Sequence, residues 1–365
     1  SNWCNNYYTN AANGAFYDIT ELIDKVPSLK DNISDYMWEA SKVDGKIYGV
    51  PNWQVQAKAC AVCMPKEYFD KSGLKRDDIK DITDTTKYLE AVKSINPKAN
   101  HINVSWTSAM GYYGFLTLIK ESVPGAVNYD STGKPTVVNQ YESDSFEEYA
   151  RLVHSWVDNE LAFGEYSPGY NAMAKEVMEC PFIFGVYKPG GDKEMEKQYG
   201  YPWETIQISP QVLNTDGIIA TMTAVSATSK HPEKALELIG IMNSDKELYN
   251  LLSWGIEGEN YEKTGESTIK LNNENGYSMQ NWIFGGIKNS YILDGQDTDM
   301  MEKTEEYNNS AIVSPVLGFN PDISGLSVEI ANCETVIKER MEMINLGLAN
   351  PDTALPELRE ALKVA

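Results

Sequence analysis

Apolar residues recur at helical spacing in several stretches of this chain. The clearest stretch predicts a helix over 145–161, whose apolar positions are Phe146, Tyr149, Ala150, Val153 and Val157. Ser145 and Glu148 have the spacing of a capping box at its start. A second stripe predicts the longest helix, over 325–346, through Leu326, Ile330, Cys333, Ile337, Met341 and Ile344. These two helices should supply much of a hydrophobic core.

Shorter apolar runs predict strands that alternate with further helices. The predicted strands are 101–104, 181–187 and 218–225. The other predicted helices are 12–16, 19–26, 33–42, 65–72, 84–95, 231–242, 245–252 and a last helix capped by Asp352. The polar stretch 255–276 is predicted to be a loop. This alternation indicates an α/β fold.

A predicted hairpin lies at 43–53. Asp44 and Gly45 form a tight-turn dipeptide, because glycine adopts positive φ without a steric penalty. The residues 47–50 continue as a strand that Pro51 ends. Trp53 follows directly, at a strand end where a side chain can point into an opening.

Length and charge restrict the class of protein. A chain of 365 residues predicts two lobes rather than one core. The net charge of -22 argues against nucleic acid or an anionic membrane face as the main partner. The sequence contains no apolar run of 18 residues and starts without a charged and then apolar leader, so the protein is either cytosolic or begins after a removed leader. The cysteines Cys60 and Cys63 have CxxC spacing but lie in an apolar run, which favours buried thiols over a metal or redox site.

Four segments, taken in order, resemble the family 1 solute-binding proteins of bacterial ABC importers. They are the Asp-Gly-Lys-Ile-Tyr-Gly-Val-Pro segment at 44–51, the His-Pro-Glu-Lys-Ala-Leu-Glu-Leu segment at 231–238, the Trp-Gly-Ile-Glu-Gly turn at 254–258, and the C-terminal helices after Ser314. The last two are similar to a lipoprotein branch of that family.

The resemblance implies a two-lobed, type II periplasmic-binding-protein-like α/β fold with a ligand cleft between the lobes. It implies a chain truncated at both ends, without the leader, the lipid-modified cysteine and the first β-α-β unit of lobe one. Lobe one would comprise 1–63 and 215–310, and lobe two 64–214 and 311–365. Hinges would lie near Val62, Asn214 and Ser314.

Aromatic and amide side chains near strand ends are the candidate ligand contacts. A sugar offers C–H faces to flat rings and hydroxyls to amides and carboxylates. The candidates, placed partly by the resemblance, are Trp3, Asn5, Asn6, Trp53, Gln56, Trp106, Tyr187 and Phe319. For the tryptophans the competing interpretation is packing, at the hinge for Trp53 and in the core of lobe two for Trp106. Trp254 is assigned to packing under its glycine turn.

The resulting hypothesis is a non-catalytic binding protein that carries a neutral solute, an oligosaccharide by preference, to an ABC permease. It is expected to be an extracellular, lipid-anchored monomer that needs no cofactor or metal and binds no nucleic acid. One alternative is a glycan-processing enzyme that would use carboxylates such as Asp216, Glu257 and Glu259. Another is a peptide or amino-acid binder of the same fold, with Lys58 or Asp216 in the cleft.

Overall fold

The computed structural model describes residues 7–129, 134–163, 171–272, 277, 279–321, 323 and 325–365. Contacts within the chain divide it into two compact units. Unit one comprises Ser1–Lys58 and Gln211–Asn320, and unit two comprises Ala59–Pro210 and Pro321–Ala365. The chain therefore passes from one unit to the other after Lys58, Pro210 and Asn320. The boundaries predicted from the sequence were 63, 214 and 310.

Helices and strands alternate along the chain, as the hydrophobic pattern predicts. The helices are α1 (Tyr7–Ala12), α2 (Pro27–Asn32), α3 (Asp35–Ala40), α4 (Lys66–Ser72), α5 (Thr85–Ile95), α6 (Trp106–Ala109), α7 (Asp144–Asp158), α8 (Gly191–Tyr199), α9 (Thr215–Ile218), α10 (Pro232–Ser244), α11 (Lys246–Trp254), α12 (Met300–Asn309), α13 (Ser327–Asn345) and α14 (Pro351–Val364). The strands are β1 (Lys42–Val43), β2 (Lys46–Ile47), β3 (Val50–Pro51), β4 (Ala57–Pro65), β5 (Phe115–Thr117), β6 (Gly125–Tyr129), β7 (Pro135–Asn139), β8 (Ile183–Tyr187), β9 (Trp203–Gln207), β10 (Val212–Leu213), β11 (Met222–Thr223), β12 (Tyr261–Lys263), β13 (Thr268–Leu271), β14 (Ile292–Leu293) and β15 (Ile312–Val313). None of the described helices is long and apolar enough to cross a membrane.

The centre of unit two is strand β4, which pairs antiparallel with β8 on one side and β9 on the other. Its side chains alternate between two apolar environments, which explains why the sequence here is a continuous apolar run. Val62 and Met64 enter the main core with α5, α7, α13 and α14. Ala61 and Cys63 pack against a smaller cluster with Trp203. Strands β5, β6 and β7 form a separate antiparallel meander.

Helices α7, α13 and α14 complete the core of unit two. The predicted stripe of α7 is buried at Phe146, Tyr149, Ala150 and Val153. Its cap is Ser143, whose Oγ accepts a hydrogen bond from the N–H of Phe146, so the predicted cap at Ser145 is wrong by two residues. In the same way, the last helix is capped by Asn350 rather than by Asp352, and Pro351 occupies its first turn.

In unit one the predicted turn at Asp44–Gly45 is confirmed, but the strand predicted over 47–50 is interrupted, since β2 ends at Ile47 and β3 begins at Val50. Asp44 and Gly45 have φ values of 51° and 76°, the pair of positive angles that a type I′ turn requires between β1 and β2. Pro51 ends β3, which pairs antiparallel with β11. Elsewhere in unit one, β13 lies between β12 and β14 in a small mixed sheet.

Several predicted elements differ from the structure. The helix predicted over 19–26 is one of them, since only the short 3₁₀ helix Ile23–Lys25 forms there. The predicted strand 218–225 is shortened to the two-residue β11 at Met222–Thr223, because Asn214 caps a helical turn, α9, that ends only at Ile218. The predicted loop 255–276 contains β12 and β13. The stretch 101–104 pairs with β8 only through Asn103. The predicted helix 12–16 is wrong, because α1 ends at Ala12 and Gly14 follows at φ 72°.

Candidate functional site

A pocket of about 500 Å³ opens in unit two beside the C-terminal helix α13. We call it the C-terminal pocket, and its lining residues are Trp106, Thr107, Glu121, Ser122, Tyr141, Ile337, Lys338, Met341, Glu342, Asn345 and Leu346. Its volume lies within the range of small-molecule sites. Apolar side chains line its inner part, and hydroxyl, carboxylate and ammonium groups surround it. Such a lining suits a ligand with both apolar and polar surfaces.

Side-chain hydrogen bonds hold the walls of the C-terminal pocket in place. The Asn345 Oδ1 accepts hydrogen bonds from the backbone N–H of Trp106 at 3.0 Å and from the Tyr149 hydroxyl at 2.9 Å. The Tyr141 hydroxyl donates to the carbonyl of Glu121 at 2.7 Å. The Gln140 amide donates to the carbonyls of Glu121 and Val123. The Asn345 bonds connect α13 to the segment that presents Thr107, and the Tyr141 and Gln140 bonds hold the segment that presents Ser122.

Trp106 lies inside the core and not on an open surface. The residue is 1% exposed, and its Nε1 donates to the Gln140 Oε1 at 2.6 Å. Its ring contacts an aromatic cluster of Tyr113, Phe115, Phe146 and Tyr149. In this conformation its ring supports the C-terminal pocket from behind. The prediction that Trp106 stacks on a ligand therefore stays a prediction, and its observed placement matches the packing alternative.

A second pocket of unit two, of about 410 Å³, contains the predicted residue Tyr187. Tyr187 is the last residue of β8 and pairs with Ala59 of β4. The same pocket is lined by the segment 206–210 and by Arg76, Asp77, Ile79 and Lys80. Arg76 forms an ion pair with Glu204 and donates a hydrogen bond to the carbonyl of Thr205. Tyr187 is partly exposed, so a ligand can reach it.

In unit one, Trp53 and Gln56 are both buried. Trp53 is 8% exposed, and the Lys288 Nζ lies 5.9 Å from the centroid of its ring. Burial lowers the pKa of the Lys288 ammonium, while the charge of Glu305 acts in the opposite direction. Gln56 is fully buried, and its Oε1 accepts a hydrogen bond from the Tyr36 hydroxyl at 3.0 Å. The Gln56 Nε2 has no hydrogen-bond partner among the described residues.

Of the remaining candidates, Phe319 has an exposed ring, and the other three lie outside the described residues. Phe319 is 53% exposed and follows Gly318, whose N–H donates to the Thr215 hydroxyl at 2.9 Å. Its ring is therefore open to solvent in unit one. Trp3, Asn5 and Asn6 lie outside the described residues. Among the described candidates, Trp53, Gln56 and Phe319 belong to unit one, and Trp106 and Tyr187 belong to unit two.

The other chemical groups singled out in the sequence lie in ordinary structural environments. Burial raises the pKa of the Cys60 and Cys63 thiols to about 12, which keeps them protonated and unreactive at neutral pH. Within the described ranges, no three His, Cys, Asp or Glu side chains are grouped so as to hold a metal ion. Glu257 forms an ion pair with Lys263 at 3.0 Å. Trp254 donates its Nε1 hydrogen to the Ser290 hydroxyl, in agreement with a packing role.

Sequence reasoning did not identify the wall that α13 contributes to the C-terminal pocket. Ile337 and Met341 belong to the apolar stripe of the predicted helix, and such a stripe predicts packing in the core. Met341 is buried, whereas Ile337 is only partly buried because it faces the pocket. Lys338 and Glu342 lie one turn apart beside that stripe, which is the ordinary pattern of a solvated helix face. No local signal distinguishes that pattern from a binding wall.

Solved structures of solute-binding proteins have the same fold as this chain. The crystal structure of an N-glycan transport solute binding protein from Streptococcus pneumoniae aligns with a TM-score of 0.86 and 22% identity, over 99% of this chain and 81% of that chain. The same protein in complex with Man5GlcNAc aligns with a TM-score of 0.75 and 23% identity, over 99% and 81%. The predicted fold class, a type II periplasmic-binding-protein-like α/β fold, is confirmed.

The sequence itself is similar to a transport protein along nearly its whole length. A carbohydrate ABC transporter substrate-binding protein of Streptococcus pneumoniae serotype 4 is 27% identical over 383 residues, which cover 99% of this chain and 74% of that protein. Residues 315–365 match a family described as a domain of unknown function, DUF3502. The resemblance predicted from the motifs, to the solute-binding proteins of ABC importers, is confirmed. These relatives are named as binding proteins, which agrees with the prediction that the chain is not an enzyme.

Proposed function

We propose that this chain is the substrate-binding component of an ABC importer and that its ligand is a neutral oligosaccharide. The observation that carries the proposal is the similarity, over 99% of the chain, to a carbohydrate ABC transporter substrate-binding protein. The complexes of a structural neighbour with Man1GlcNAc and Man5GlcNAc support an N-glycan fragment as the first ligand to test.

The side chains at the candidate sites are consistent with a neutral ligand. The exposed ring of Phe319 and the partly exposed ring of Tyr187 can contact the C–H faces of sugar rings. Around the C-terminal pocket, two carboxylates, Glu121 and Glu342, stand with the one ammonium group of Lys338, a balance that disfavours an anionic ligand. A neutral polyol can use both kinds of group as hydrogen-bond partners.

The remaining parts of the proposal concern the setting in which the protein acts. We propose that it is extracellular, attached to the cell surface through a lipid anchor, monomeric, and a partner of an ABC permease. A substrate-binding component has to meet its solute outside the cell and deliver it to the permease. Binding that changes the population of conformations would allow the permease to distinguish loaded from empty protein.

Titration calorimetry tests the proposed ligand class. Man1GlcNAc, Man5GlcNAc, an unrelated neutral disaccharide and a mixture of short peptides are each titrated into the full chain. Micromolar or tighter binding is expected for at least one glycan, which corresponds to about 8 kcal/mol of binding free energy. Each glycan should be recovered unchanged after incubation. Binding of peptides alone, or cleavage of a glycan, would exclude the proposal.

A further inference from the structure

We infer that the C-terminal pocket is a saccharide subsite and that the DUF3502 region supplies its specificity wall. The inference rests on the proposed function and adds to it the location of one binding subsite. Six of the lining residues, Ile337, Lys338, Met341, Glu342, Asn345 and Leu346, lie within 315–365. The pocket lies entirely within unit two, so its geometry is fixed inside one compact body.

The spacing of residues on α13 produces one apolar row and one polar row. Ile337 and Met341 are four residues apart, as are Lys338 and Glu342, so each pair lies on one face of the helix about one turn apart. The first pair packs toward the core and forms the inner part of the wall with Leu346. The second pair is exposed beside it. A pyranose ring can rest on the apolar row while its hydroxyls reach the polar row.

The polar groups of the wall are available to a ligand. In the part of the chain that the structure describes, no hydrogen bond or ion pair engages the side chains of Thr107, Ser122, Lys338 and Glu342. All four line the pocket, two of them on α13 and two on other segments of unit two. Together they provide hydroxyl, ammonium and carboxylate groups, which match the mixed donor and acceptor character of sugar hydroxyls. Two carboxylates, Glu121 and Glu342, against one ammonium disfavour an anionic occupant.

The pocket is also preorganised. Asn345 is a positioning residue, since its Oδ1 accepts hydrogen bonds from the backbone N–H of Trp106 at the start of α6 and from the Tyr149 hydroxyl of α7. Thr107 follows Trp106 directly, so its position depends on the same bond. Tyr141 and Gln140 fix the carbonyl of Glu121 next to Ser122. Binding at a site whose walls are already fixed loses little conformational entropy, which favours affinity.

Two matched helix variants test the subsite by calorimetry. Glu342→Ala removes a hydrogen-bonding group from the pocket, and Glu339→Ala removes the same group from an exposed position of α13 that does not line it. We expect Glu342→Ala to weaken binding of the tightest glycan by about tenfold, the loss for one charge-assisted hydrogen bond. Glu339→Ala should bind like the unaltered chain. Equal melting temperatures of the two variants confirm that both are folded.

A third variant blocks the pocket without removing a polar contact of α13. Ser122→Trp places a large ring at a lining position outside α13, and it should weaken binding by more than tenfold or abolish it. If Glu342→Ala and Ser122→Trp both bind every glycan as tightly as the unaltered chain, the subsite inference is overturned while the proposed function stands. If the unaltered chain binds no glycan, both are overturned.

Discussion

At the scale of single residues, asparagine side chains fix backbone segments in both units. In unit one, the Asn308 Oδ1 accepts hydrogen bonds from the N–H groups of Gln56 at 2.9 Å and Ala57 at 3.1 Å, and its Nδ2 donates to the Gln54 carbonyl at 2.8 Å. The first two of these bonds give hydrogen-bond partners to backbone groups that are buried at the start of β4. In unit two, Asn345 has a comparable role, because it accepts a hydrogen bond from the backbone N–H of Trp106. A lone asparagine in a helical pattern gives no sequence signal for this role.

Replacing Asn308 with alanine is expected to lower the free energy of unfolding by about 3 kcal/mol, because the buried N–H groups of Gln56 and Ala57 lose their acceptor. The matched control is Asn309→Ala, an exposed position on the same helix, which should change the stability by less than about 0.5 kcal/mol. Urea unfolding followed by circular dichroism measures both values. Equal effects of the two substitutions would contradict the role given to Asn308.

At the scale of elements, the end of α13 is fixed by a close approach to α7. Gly347 follows the helix at φ 70°, and an added Cβ would lie 2.6 Å from the carbonyl oxygen of Val153. The carbonyl of Gly347 is also 2.7 Å from the Nδ1 of His154. A side chain at position 347 would clash with α7. The chain can therefore turn at the end of α13 only because this residue is glycine.

Gly347→Ala should destabilise the protein by about 3 kcal/mol, from the left-handed backbone and the clash with α7 together. Gly73→Ala is the matched control, since Gly73 has φ 76° and nothing lies within 4 Å of an added Cβ. It should cost only the backbone strain, about 1 kcal/mol. Chemical unfolding of the two variants separates these contributions, and equal losses would show that the close contact does not matter.

Helix positions were predictable from the sequence, while several ends and strands were not. The stripes of α7 and α13 are long enough for periodicity to identify both helices, but Leu326 of the second stripe precedes α13 and is 44% exposed. Cap residues were misplaced because Ser143 and Ser145 are equally good caps by type, and only the bond from Phe146 selects Ser143. The strand predicted at 218–225 forms only at Met222–Thr223, because the helical turn that Asn214 begins extends to Ile218 and a turn follows it.

At the scale of the whole molecule, the protein carries a net charge of -22, and both of its described pockets are lined by polar and apolar side chains. The carboxylates repel anions at long range and attract cations, whereas a neutral solute experiences neither effect. Charge therefore contributes to the selection of ligands before any contact forms. It agrees with the ligand class proposed here.

The affinity for a neutral glycan should change less than twofold when sodium chloride is raised from about 50 to about 500 mM, because screening acts on charges that the ligand lacks. A cationic ligand would instead bind progressively more weakly to this acidic protein as salt is added. Calorimetric titrations at the two salt concentrations provide the measurement. A steep loss of affinity with salt would contradict a neutral ligand.

The sequence by itself determined the fold class, the Asp44–Gly45 turn and the two long amphipathic helices, because each depends on local backbone preference or on periodicity. It also supported the recognition of a solute-binding protein, because the motifs at 44–51 and 231–238 are local. Only the tertiary structure decided that Trp106 lies in a core and that Ile337 and Glu342 line a pocket. Whether one side of a ring or helix stays exposed depends on contacts with residues that are distant in the sequence. The packing of the folded chain determines those contacts.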